Sequence, residues 1–151
     1  MSNRFFAVCG IVEIDGKILF VRHTYGSAKD RILIPGGFVR ENEMPNDAVE
    51  REIFEETQVR AKAKSVMAVE FKPAQWCVVF IMDYIEGNPV SDNYENSEVL
   101  LLEASEAIKR SDITNLSREI LKAYIKKSHT LEKSDYVSAS ATPETYAVFG
   151  I

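Results

Sequence analysis

Residues 37–59 read GFVRENEMPNDAVEREIFEETQV, directly after Ile34-Pro35-Gly36. Pro45 suits the first turn of a helix, where its missing N–H is not needed, and the apolar spacing carries that helix to about Thr57. Ala48, Val49, Glu52, Ile53 and Glu56 are separated by one, three and four residues, so they share one stripe, with Glu55 at its margin. A stripe that should face a core is interrupted by carboxylates. In a solvated helix these charges would only be paired, as Arg51 with Glu55 four residues on. Three carboxylates within about one turn nevertheless repel one another, and burying them beside Val49 and Ile53 is costly unless a cation neutralises them. Hard oxygen donors select Mg²⁺ or Mn²⁺ over Zn²⁺. The Gly36-Gly37 pair upstream reads as a turn whose unencumbered backbone can approach that ion or a phosphate bound to it.

Outward from the helix, strand-like and helical segments alternate. Arg4 to Ile14 and Lys17 to His23 are apolar runs joined by Asp15-Gly16, a pair that favours a two-residue hairpin. Thr24 to Arg31 reads as a loop, and Ile32 to Ile34 as a short strand stopped by Pro35-Gly36-Gly37. Ser65 to Phe71 and Trp76 to Ile85 are strands flanking Lys72-Pro73-Ala74, and Glu98 to Leu102 is another. Asn115 to Lys127 has helical spacing. This order predicts an α/β (α+β) fold.

With 151 residues, 46% of them hydrophobic, the chain has the size and apolar content of one globular domain. It has no apolar run near the roughly 20 residues that span a bilayer, and its N-terminus lacks signal-peptide character. A soluble, cytoplasmic protein is expected, with no membrane partner. Cys9 and Cys77 are its two cysteines, each in an apolar run, which suits reduced thiols better than a disulfide framework. The net charge of -5 argues against a nucleic-acid polymer as partner. His23 and His129 are isolated in sequence and suggest no zinc site.

The spaced residues Gly37, Glu43, Arg51, Glu52, Ile53, Glu55, Glu56 and Val59 resemble the Nudix box, G-x5-E-x7-R-E-U-x-E-E-x-G-U, in which U is a bulky aliphatic. The departure is Gln58, where that box has glycine. A glycine there takes a left-handed helix cap at little cost; glutamine either pays roughly 1 kcal/mol or ends the helix differently. The resemblance to the MutT-like Nudix family covers roughly residues 4–127. It implies a Nudix-type α/β/α sandwich with a mixed sheet over residues 1–130, and leaves 131–151 as a C-terminal extension, mobile except where its end docks.

The resemblance also implies a chemistry: metal-dependent hydrolysis of a diphosphate linkage in a nucleoside diphosphate derivative or a nucleoside triphosphate. Glu52, Glu55 and Glu56 are expected to bind Mg²⁺ or Mn²⁺, with the carbonyl of Gly36 or Gly37 as a further ligand. Arg51 and Glu43 orient those ligands. The general base is Glu55 or Glu98, the latter from the acidic stretch 93–98. Arg22 and Arg31 are candidates for a terminal phosphate and Gly36 for substrate contact, while Phe71, Trp76 and Tyr84 can stack a base or serve as core. A homodimer is compatible with this reading. The competing functions are a Nudix-fold module that senses a nucleotide without cleaving it, and an unrelated acidic α/β protein. Loss of box carboxylates would favour sensing, and none is lost.

Overall fold

The computed structural model describes residues 2–127, 130–147 and 149. Its strands β1 (Ser2–Ile11), β2 (Glu13–Ile14), β3 (Lys17–His23), β4 (Ile32–Leu33), β5 (Gly36–Arg40), β6 (Arg60–Lys72), β7 (Gln75–Glu86), β8 (Asn96–Leu102) and β9 (Leu131–Glu132) are joined by helices α1 (Pro45–Thr57), α2 (Ala104–Ala107) and α3 (Asn115–Ile125). A five-stranded mixed sheet has the order β5-β1-β7-β6-β9, with β1 and β7 parallel and the other pairs antiparallel. In a second, antiparallel sheet β3 pairs with β2, β4 and β8.

Alternation along the strands sends side chains to two cores. Val8, Val39, Val66, Phe80 and Met82 bury the apolar face of α1, through Ala48, Val49 and Ile53. Ile11, Phe20, Ile32 and Val79 pack instead with Ile113 and with Ile120 and Leu121 of α3. Helices therefore cover the sheet layer on two sides, as a Nudix-type sandwich requires.

The hairpin is shorter than the sequence suggests. Asp15 and Gly16 both have positive φ, as a two-residue turn needs, but only β2 pairs across it; β1 belongs to the larger sheet. The chain changes sheet at Val12, which is fully buried and accepts from the Leu19 amide. Gly36 and Gly37 also differ from the expected turn. They open strand β5, opposite Cys9 and Val8, because here the backbone must lie close to its neighbours. A Cβ at Gly36 would stand 2.6 Å from the Cys9 Cα, and one at Gly37 would stand 2.6 Å from Glu52 Oε1.

Helix α1 ends with Gln58 in the left-handed region, φ 62° and ψ 10°, its amide bonded to the Phe54 carbonyl. Of the two possible endings, the chain keeps the glycine-like cap and carries a side chain there. After α3, β9 adds to the sheet at Ser65 and Val66, and Phe149 packs edge-on against Phe80 at 5.8 Å.

Candidate functional site

The second half of α1 lies over the start of β5. Glu52 sits on the Cα of Gly37, and Glu56, 1% exposed, accepts from the Gly36 amide at 3.2 Å through Oε1. The other oxygen of Glu56 is buried and has no hydrogen-bond partner. A third carboxylate comes from the turn before β8. Asp92 accepts there from the amides of Tyr94 and Asn96, Asn93 takes positive φ, and buried Asn96 donates to the Glu56 carbonyl at 2.9 Å. The Thr24 amide holds the Glu95 carbonyl at 3.1 Å. Glu52, Glu56 and Glu95 thereby bring one oxygen each within 4.8 Å of one another.

Arg51 stabilises this arrangement from one side. Its Nε and Nη2 form a fork on Glu43 at 2.6 and 2.9 Å, Nη1 reaches Glu52 at 2.8 Å and Glu55 at 3.1 Å, and Nη2 also reaches the Phe38 carbonyl. All five guanidinium donors are thus used, which a point-charge lysine could not do. Glu43 in turn accepts from the Arg40 amide, so the loop before α1 is tied to the helix. The Arg51 fork holds the Glu43 carboxyl below the usual carboxylate range.

Electrostatics mark the cluster as incomplete on its own. Burial pushes the Glu56 carboxyl well up, and the charge of Glu52 adds to it. Burial raises Glu52 as well, against the pull of Arg51, and raises Glu95, with Asp92 adding. Three converging carboxylates that resist ionisation, one of them fully buried with an orphan oxygen, are a donor set that could hold a hard divalent cation.

The structure redistributes several expected roles. Glu55 is outside the triad, half-exposed and paired with Arg51 and Arg40. Glu98 lies across from Arg22 on the neighbouring strand and is paired with it at 2.9 Å, so its carboxylate is engaged away from the cluster. Arg22 also donates to Asp112 and the Asp30 carbonyl, and exposed Arg31 donates through Nη1 to the Ile113 carbonyl, so both tie the end of the 24–31 loop to residues 112–113. Glu95 was not singled out from the sequence, although it lies in the same acidic stretch. The Ser-Asp-Asn turn at 91–93 was the available signal, since its side-chain caps decide which glutamate precedes the strand.

Among the aromatics, Phe71 is 66% exposed and Trp76 41%, and their rings meet edge-to-face at 4.9 Å. Phe6 joins them beside Trp76 at 6.1 Å. Alternation puts Phe6 and Trp76 on the same sheet face as Val8, Phe80 and α1. Tyr84 is separate, its hydroxyl donating to the Gly87 carbonyl. His23 stacks on Tyr25 at 5.2 Å, and burial lowers its imidazole. His129 lies outside the described residues. Among the described residues, no helix is long and apolar enough to cross a membrane.

The family model of the NUDIX domain matches residues 2–124. An ADP-ribose pyrophosphatase of Methanocaldococcus jannaschii is 40% identical over 87 residues, 54% of this chain and 52% of that protein. The chain spans about half the length of this curated relative. In three dimensions it is similar to a NUDIX hydrolase from Nitrosomonas europaea, with a TM-score of 0.75 at 24% identity over 85% of this chain and 74% of that one. A NUDIX-family hydrolase from Clostridium perfringens aligns with a TM-score of 0.70 at 16% identity, over 84% of this chain and 99% of that one.

Proposed function

Because the chain belongs to the Nudix family, we propose that it is a divalent-metal-dependent pyrophosphohydrolase that cleaves the diphosphate linkage of a nucleoside diphosphate derivative of the ADP-ribose type. The observation that carries the reading is the Glu52–Glu56–Glu95 cluster, half-buried except for fully buried Glu56 with its orphan oxygen. Glu52 and Glu56 would hold the cation, with Glu95 and a carbonyl of Gly36 or Gly37 completing the donors. A bound Mg²⁺ or Mn²⁺ supplies neutralisation of the diphosphate and acidification of water. Glu95, less buried than Glu56, suits the role of proton acceptor; Glu55, beside Arg51, is the alternative from α1. Arg51 and Glu43 fix the rotamer of Glu52, and Asn96 fixes the spacing between α1 and the turn that carries Glu95.

Specificity for the nucleoside side follows from the exposed rings of Phe6, Phe71 and Trp76, which offer faces and edges to a base on the side of the sheet that carries α1. Leu131–Glu132 (β9) and Phe149 dock the C-terminal extension on this domain. We assign the protein to the cytoplasm on its unpaired cysteines. The test is a substrate panel with Mg²⁺: ADP-ribose, sugar nucleotides, dinucleotides and nucleoside triphosphates. The expected result is hydrolysis at the diphosphate, greatest for ADP-ribose-type compounds and abolished by excess chelator. Binding without turnover across the panel would favour a sensing module, and chelator-resistant turnover would refute the metal role.

A further inference from the structure

The two cysteines lie beneath the metal cluster, on the sheet face that packs toward α3, as Cys9's contacts with the Ile11 and Val79 core indicate. Their sulfurs are 3.9 Å apart and both thiols are free. The strand register sets Ala7 opposite Cys77 and Cys9 opposite Val79, so the pair is diagonal on neighbouring parallel strands. Strand spacing of about 4.8 Å and a rise of about 3.3 Å per residue separate the two Cα atoms by about 8 Å. A disulfide tolerates about 6.8 Å at most and brings the sulfurs to about 2.05 Å, so side-chain rotation alone cannot close it. Closing it must shift β1 and β7 along and toward each other.

That movement has a defined recipient. On its other edge Cys9 faces Gly36, and the two backbones touch: a Cβ at Gly36 would stand 2.7 Å from the Cys9 Cβ. Gly36 is the residue whose amide holds Glu56 Oε1. No flexible side chain lies between Cys9 and Gly36 to absorb a shift.

We propose that Cys9 and Cys77 are a reversible oxidation site, and that forming their disulfide displaces Gly36 and weakens Glu56 as a cation ligand. The second half of this inference rests on the metal-site reading above. With hydrogen peroxide as oxidant, the thiolate of one cysteine attacks one peroxide oxygen, the O–O bond breaks, and the leaving hydroxide takes a proton to become water. The other thiol then attacks the resulting sulfenic sulfur; its proton leaves with the oxygen as a second water, and the S–S bond forms. Two thiols lose two electrons in all and one peroxide gains them.

The test uses the full chain, treated with hydrogen peroxide or left reduced, and reads two quantities. Intact mass and peptide mapping should show loss of two hydrogens and a peptide linking residues 9 and 77, reversed by dithiothreitol. Mn²⁺ binding, followed by the spin resonance of the free ion, should weaken about tenfold on oxidation and recover on reduction. Cys77→Ser, with Cys9→Ser as a second variant should the first fail to fold, should keep its Mn²⁺ affinity through the same treatment. A protein that accumulates only sulfinic or sulfonic acids overturns the proposal, as does a bridged protein with unchanged Mn²⁺ affinity or an equal loss in the serine variant. If the reduced protein binds no Mn²⁺, the metal-site reading fails and the coupling fails with it, while the bridge still stands or falls on the mass.

Discussion

Replacing Glu56 by glutamine should separate folding from function with opposite signs. The side chain is 1% exposed, one oxygen accepts from Gly36, and the other has no partner. Glutamine keeps the volume and the Gly36 contact, and its amide can donate toward the neighbouring carboxylates. An unsatisfied buried group costs about 1–3 kcal/mol, more if charged. Without metal the variant should therefore be more stable by about that amount, raising the melting temperature by about 3–10 °C for a domain of this size.

The gain should depend on pH. Burial raises the folded-state carboxyl above its unfolded value of about 4.3, so below that pH both states are protonated and the two proteins should melt together. As pH rises through the folded-state value, the wild type loses stability and the gap opens. With Mg²⁺ the gap closes, and reverses where the variant's gain is below the metal's contribution. Saturation at 100 times Kd stabilises the wild type by about 2.7 kcal/mol, a shift the variant should lack. Turnover should fall at least ~100-fold. Scanning calorimetry across pH, with Mg²⁺ and with chelator, reads all of these. A variant that melts below wild type without metal at every pH, or keeps the Mg²⁺-dependent shift, would refute the reasoning.

Gln58→Gly should preserve turnover and raise stability by about 1 kcal/mol, since the residue already has φ 62° and its side-chain bond to Phe54 is a weak 3.5 Å; a lower melting temperature would show that the cap is not strained. Glu95→Gln should lower turnover about 10–100-fold, while Glu98→Gln leaves it nearly unchanged, and the reverse ranking in steady-state kinetics would move the site back to β8. Arg51→Lys should cost about 10–100-fold in turnover, because lysine cannot make the five-donor contact. The same change should move acid unfolding to higher pH: Arg51 depresses the Glu43 carboxyl, and that stabilisation, present above the unfolded value, is lost as pH falls. A circular-dichroism titration with an unmoved acid transition would contradict it.

Much of this protein was legible before any coordinates. The spacing of Glu52, Ile53 and Glu56 required one helix face to carry both core and charge, and Asp15-Gly16 required a turn; these are local constraints of dihedral angle and helical period, acting over a few residues. Gln58 was legible only as a choice, and tertiary packing resolved it: Val59 and Thr57 are buried beside the cap, so the chain keeps the left-handed exit and accepts its cost. What the sequence left open was which distant carboxylate meets the helix. Glu95 and Glu98 are equally acidic on paper. Glu98 is taken by Arg22 on the adjacent strand, whereas Asp92, Asn96 and Thr24 hold the Glu95 segment against α1. The same holds for Arg22 and Arg31, whose partners at 112 and 113 lie 90 and 82 residues away in the chain. Local pattern determines where a carboxylate can point, but only long-range pairing decides whether its charge is already neutralised.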